Sequence, residues 1–201
     1  MVVDKPAGLL SVPGKPVPGG PDNQDCVAAR IRARFPDARG PLTVHRLDME
    51  TSGLLVLGLD PEAQRDLSMQ FEQRRVGKSY VALVAGAPSE AAGRISLPLR
   101  PDIENRPRQI VDFVHGREAI TDWSVMGRAD ESTRLRLEPL TGRTHQLRLH
   151  LSHDRGLGLP IVGDRLYGGP TAPRLMLHAA FLEFTDPESG RRISFESATP
   201  F

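Results

Sequence analysis

The sequence predicts a mixed α+β domain: a largely antiparallel mixed sheet flanked by a few helices. Two observations carry that expectation. Short runs of strand-like alternation and β-propensity recur at Tyr80 to Ala85, Ile110 to Val114, Thr121 to Met126 and Thr133 to Leu137. Against these stand only a few helical patterns, and many short strands with few helices favour a mixed domain over a bundle or a doubly wound sheet.

Composition narrows the class further. At 201 residues, one compact domain (1–201) or two closely packed lobes is expected. No apolar run reaches membrane-spanning length and no charged-then-apolar leader opens the chain, so a soluble, cytoplasmic protein is expected. The single cysteine, Cys26, excludes an internal disulfide and reads as a buried thiol on a helix face. A net charge of +1 does not announce a polyanion partner. Of the 26 basic residues, however, only Lys5, Lys15 and Lys78 are lysine. Arginine suits phosphate forks and base stacking, although a general preference for arginine codons gives the same bias.

Taken in order, Met1-Val2-Val3 begins in mid-strand. Gly8 to Gly20 is a Pro- and Gly-rich loop. Its Gly8-to-Lys15 spacing is wrong for a phosphate loop, and Pro16 stands where Ser or Thr is needed. Asp22-Asn23 is the expected cap of a helix with Val27, Ile31 and Phe35 on its apolar face, stopped by Pro36. Thr43 to Leu47 alternates as a strand, which would place Arg46 and Asp48 on one face. Met49 to Gly53 reads as a turn and Leu54 to Leu59 as a buried strand. An ordinary surface ion pair ahead of a core strand fits this stretch as well as a fixed functional charge does.

Asp60-Pro61 is a helix start, with Asp as cap and Pro at the first position. Ala63, Leu67 and Phe71 line the buried face, and Arg74, Arg75 and Lys78 gather beyond its end. Pro98 to Gln109 reads as a polar loop. Gln146 to Ser152 alternates as a strand does. Gly156 to Gly169 is a glycine-punctuated loop, and Met176 to Thr185 with Arg192 to Glu196 forms a hairpin across Asp186 to Gly190. His150 and His153 would share a helix face, but lack a third metal ligand at sensible spacing, so no metal is expected.

The run His45-Arg46-Leu47-Asp48-Met49-Glu50-Thr51-Ser52-Gly53 before an apolar strand resembles the signature of the RluA-type pseudouridine synthases. Five further blocks agree in order and rough spacing: Val3 to Leu9, Lys78 to Ala82, Gly142 to His150, Pro160 to Gly168 and Leu175 to Ala179. The resemblance implies the pseudouridine synthase catalytic fold with a central RNA-binding cleft. It also implies a helix over Gln146 to Ser152, against the local period, and a leading strand ahead of Met1 that this chain lacks. No separate RNA-binding domain is expected.

By the same resemblance the activity is isomerisation of uridine to pseudouridine, with RNA as partner, no cofactor, and a monomer. Asp48 matches the catalytic carboxylate, Arg148 the cation that keeps it ionised, and Arg46 the arginine that replaces a flipped base. Tyr80 matches the tyrosine against the uracil, though alone it reads as an ordinary strand tyrosine. Arg143, Arg106 and Arg108 are candidates for phosphate contacts. The segment Leu97 to Gln109 is similar to the loop of the branch that modifies both rRNA and tRNA stem-loops. It departs from that branch at Asp102-Ile103-Glu104, where Asp-Trp-Pro is common. A catalytically silent RNA-binding module would have no reason to keep Asp48 within the full signature. A hydrolase would need a second acid or base beside it, and Glu50 is the only near candidate.

Overall fold

The computed structural model describes residues 1–15 and 23–201. The later part of the Gly8-to-Gly20 loop and the proposed cap Asp22 lie outside the described residues. In chain order the elements are β1 (Val2–Lys5), α1 (Val27–Arg34), β2 (Ser52–Val56), α2 (Pro61–Glu72), β3 (Gly77–Ala85), β4 (Ala92–Ser96) and β5 (Leu99–Pro101). They continue with β6 (Gln109–Val111), β7 (Ile120–Ala129), β8 (Ser132–Pro139), α3 (Gln146–Ser152), β9 (Leu177–Thr185) and β10 (Arg192–Glu196). The expected α+β class, with its mainly antiparallel pairing, is what the chain adopts. Among the described residues no helix is long and apolar enough to cross a membrane.

The backbone divides into two compact units. The first comprises Met1–Lys78 and Ala179–Thr199. Here β1 runs antiparallel to β2, from Val2 opposite Val56 to Lys5 opposite Gly53, and β10 pairs with β9. All five residues of β2 are buried, as expected of an apolar run with no alternation. The strand starts earlier than expected, because Ser52 and Gly53 belong to it and only Met49-Glu50 turns. Gly53 is held at φ 112°, and a Cβ there would strike the backbone of Ala179, so only glycine fits. α2 packs Leu67 and Phe71 against Leu54, Val56, Leu182 and Phe184. Its start is as expected: Asp60 Oδ1 accepts the Ala63 N–H at 2.8 Å, with Pro61 in the first turn.

Two expectations fail in this unit. Thr43 to Leu47 is no strand; only Thr43 makes an isolated bridge, to Leu57. The backbone groups that a ladder would use are taken elsewhere: the Thr43 carbonyl by Gln64 and the Leu47 amide and carbonyl by Ser11. α1 is capped by Cys26, whose sulfur accepts the Ala29 N–H at 3.3 Å. The Leu10 and Ser11 carbonyls meet the Val27 and Ala28 N–H groups. A polar cap is therefore superfluous, and Cys26 is fully buried.

The second unit comprises Ser79–His178 with Pro200–Phe201. β3, β8, β7 and β4 lie in that order, each neighbouring pair antiparallel. A bulge interrupts β7 between Val125 and Gly127. β5 and β6 form a separate two-stranded sheet, so the expected polar loop contains a short strand at Leu99–Pro101. The strand expected over Ile110 to Val114 stops at Val111, because Asp112 turns the chain by accepting the Val114 and His115 N–H groups. β4 was not legible in Ala-Gly-Arg-Ile-Ser, and forms by pairing with β7. The core joins Ala82, Val84, Trp123, Leu135 and Leu137 to Leu147, Leu149 and Leu151 of α3.

Candidate active site

Asp48 lies half-buried in the loop ahead of β2. The backbone on both sides of it is anchored by the segment from Lys5 to Ser11. The Ser11 hydroxyl donates to the Leu47 carbonyl at 2.7 Å and accepts the Leu47 N–H at 3.1 Å. Lys5 is 1% exposed, and its ammonium donates to the carbonyls of Pro6, Leu9 and Met49 at 2.9, 2.8 and 3.0 Å. Three carbonyls thus meet the three donors of the ammonium. Gly8 adds its N–H to the Met49 carbonyl, and Thr51 donates its own to the Asp48 carbonyl. A carboxylate on a loop clamped at the residues before and after it keeps one position. That is what preorganised electrostatics or nucleophilic attack requires.

Arg46 sits in the same loop and is exposed. Its neighbour His45 is structural. The ring stacks on Phe71 with centroids 4.3 Å apart, and Nε2 accepts the Val56 N–H at 3.1 Å. Burial, helped by the Lys78 ammonium, holds its pKa down to about 3. The imidazole is therefore neutral, as an accepting nitrogen must be.

In the second unit, α3 positions Arg148. Every residue from Gln146 to Leu151 is buried, so the helix has no polar face to betray its period. Gln146 fastens its first turn. Its Oε1 accepts from the Thr141 hydroxyl and the Arg143 N–H at 2.8 and 3.0 Å. Its Nε2 donates to the Ile120 carbonyl and Thr121 Oγ1 at 2.9 and 3.0 Å. His150 Nδ1 bonds the same Thr121 oxygen at 2.9 Å. Burial lowers the His150 pKa to about 4; the Leu97 carbonyl pulls it up, and His153 pushes it down.

Arg148 itself is gripped by Asp164, Nε to Oδ2 at 2.8 Å and Nη2 to Oδ1 at 2.7 Å, with side chains 4% and 0% exposed. Asp164 Oδ1 also accepts the N–H groups of Leu166 and Tyr167. The fork uses one edge of the guanidinium; Nη1 is the nitrogen outside it. Arg148 and Arg108 both lie over the Tyr167 ring, 5.3 and 5.7 Å from its centroid.

Of the remaining expected site residues, Tyr80 is half-buried in β3 opposite Leu137. Arg143 donates Nε to the Glu118 carbonyl at 3.0 Å, and Arg106 and Arg108 are exposed. Arg46 and Asp48 thus share a loop of the first unit, and the other five belong to the second. Among the described residues no group of three or more His, Cys, Asp or Glu is placed to hold a metal. Sequence reasoning missed Lys5, Ser11, Gln146 and Asp164 as supports. All but Ser11 stand within the matched blocks, yet a polar side chain reads as solvent-facing until its partner is known.

The comparisons agree with this architecture. The model of the family described as RNA pseudouridylate synthase matches residues 1–153. The dual-specificity RNA pseudouridine synthase RluA of Escherichia coli (strain K12) is 45% identical over 206 residues, covering 100% of this chain and 90% of the relative. The enzyme of the same name from Haemophilus influenzae is 43% identical, with 100% and 89% covered. The solved structure of human RNA pseudouridylate synthase domain containing 1 has a TM-score of 0.77 at 31% identity, covering 100% of this chain and 80% of that one. The fold is thus that of a pseudouridylate synthase domain. The chain belongs to the RNA pseudouridylate synthase family, and is an isomerase that converts uridine to pseudouridine in RNA.

Proposed function

We propose that Asp48 carries the reaction and that the substrate is a compact stem-loop, a tRNA anticodon arm or a hairpin of large-subunit rRNA. The isomerisation breaks the bond from ribose C1′ to uracil N1 and forms one from C1′ to C5. The C5 proton leaves and N1 regains one, so atoms and electrons balance within the nucleotide. The step needs a carboxylate that attacks C1′ or stabilises positive charge there, and a pocket that retains the loose base. The observation that carries the assignment is the clamped loop: Asp48 lies between Leu47, held by Ser11, and Met49, held by Lys5.

The other roles follow the signature. Arg148, already oriented by Asp164, is the cation that the signature assigns as partner to the Asp48 carboxylate. Arg46, exposed on the Asp48 loop, fills the gap left by the flipped uridine. Tyr80 lies against the uracil and relays a proton. Arg143, Arg106 and Arg108 hold phosphates, which position RNA without reading its sequence. The target class rests on similarity over the whole chain to enzymes named dual-specificity RNA pseudouridine synthases. A domain of this size is suited to recognising a loop by its shape.

The test is Asp48→Asn on a uridine-containing stem-loop. Fold and RNA affinity should persist while turnover disappears, and near-normal pseudouridine formation would refute the assignment. Mapping pseudouridines in cells with and without the gene tests the target: sites lost only outside tRNA and rRNA would overturn that part.

A further inference from the structure

Tyr167 stands at a junction that the reaction itself does not explain. It is 8% exposed, and its hydroxyl accepts the N–H of Gln109, the first residue of β6, at 2.8 Å. The same oxygen bonds His145 Nδ1 at 2.9 Å. His145 is the residue that opens α3, held in the left-handed region at φ 53°, with no side-chain cap bond to its own helix. A non-glycine residue is rarely found there unless its surroundings hold it. Its ring is instead committed to Tyr167. Around the Tyr167 ring lie the guanidinium groups of Arg148 and Arg108, two cations drawn to one π system. The Tyr167 N–H is bound by Asp164, the carboxylate that orients Arg148. One side chain therefore touches the end of the 102–109 loop, the start of α3 and the arginine assigned to the reaction.

We propose that Tyr167 is a positioning residue that registers the RNA-gripping 102–109 loop against Arg148. The inference rests on the reading of Arg108 as a phosphate contact and of Arg148 as part of the site. RNA held by Arg106 and Arg108 is placed relative to α3 through the Tyr167 hydroxyl and ring. The KM for stem-loop RNA then depends on a residue that acts through Arg108 and the loop rather than by a phosphate contact of its own.

Tyr167→Phe keeps the ring in place and removes only the hydroxyl, leaving Gln109 and His145 without their shared partner. The expected result is a KM for stem-loop RNA raised about tenfold, the equivalent of about 1.4 kcal/mol, with the single-turnover rate at saturating RNA changed less than about threefold. Arg108→Ala should raise KM as well, and the double variant should cost little more than Tyr167→Phe alone, because one coupling is broken twice. A purely structural tyrosine would lower unfolding stability and leave KM unchanged. That outcome, or fully additive KM effects, would overturn the proposal. If Tyr167→Phe does not fold, amide exchange in the unaltered enzyme still decides. Stem-loop RNA should slow exchange at Gln109 together with Gln146 and Leu149 in α3, and protection confined to the loop would refute the coupling. Absence of pseudouridine formation by the unaltered enzyme would strike the functional reading itself, a different failure.

Discussion

Replacing Asp164 with asparagine would leave the Arg148 guanidinium 4% exposed beside a neutral amide. The two charge-assisted bonds, at 2.8 and 2.7 Å, would lose their anion. Breaking a buried pair from one side costs about 3–5 kcal/mol, because the surviving charge stays desolvated. With a urea dependence of roughly 2 kcal/mol per molar, the unfolding midpoint should fall by about 1.5–2.5 M. Removing the cation as well, in Arg148→Met with Asp164→Asn, should recover part of that loss, since no buried guanidinium then lies beside a neutral amide. The double variant should remain inactive if Arg148 has the role proposed for it beside Asp48. Far-UV circular dichroism in urea and a pseudouridine assay on the same samples check both halves. A single variant losing less than about 1 kcal/mol, or a double variant no more stable than the single, would refute the reasoning.

Three further outcomes are expected. Lys5→Met should cost about 2–4 kcal/mol, since three carbonyls, that of Leu9 buried and those of Pro6 and Met49 partly so, lose a charged donor while the charge itself no longer needs burial; urea unfolding measures the cost, and turnover should fall more than RNA affinity because the Asp48 loop loosens. Arg46→Ala should lose less activity on an RNA whose target uridine is already unstacked than on a structured hairpin, and equal losses would move Arg46 into folding or chemistry. His150 is fully buried, with a folded pKa of about 4 against 6.5 when free, so the unfolded chain takes up its proton first. Its contribution is complete above pH 6.5 and lost as pH falls toward 4, up to roughly 3 kcal/mol in all. His150→Asn should flatten that window in pH-dependent unfolding.

How much of this could be read from the chain depended on how far each signal's partners lay. The cap Asp60, with Pro61 behind it, completes its own hydrogen bond within three residues, so α2 was legible. The β9–β10 hairpin was legible for the same reason, its turn closing locally between Asp186 and Gly190. Asp48 was legible as a candidate because its neighbours in sequence match the signature. The alternation of Thr43 to Leu47 misled because the groups it needed for a ladder are met by Ser11 and Gln64. The alternation of Gln146 to Leu151 misled because a helix buried on every side shows no polar face, and only the wider resemblance set it right.

The sequence by itself determined the α+β class, most of the longer strands, the start of α2 and the residues proposed for the reaction. The tertiary structure alone decided what holds those residues in place: Lys5 and Ser11 on the Asp48 loop, Asp164 on Arg148, Gln146 on α3 and Tyr167 between the 102–109 loop and α3. The physical reason is that a buried polar side chain is specified by its partner. Here the partners lie 36 residues apart for Ser11 and Leu47, 44 for Lys5 and Met49, and 58 for Gln109 and Tyr167. No local pattern encodes such a distance, and only the folded chain brings donor and acceptor together.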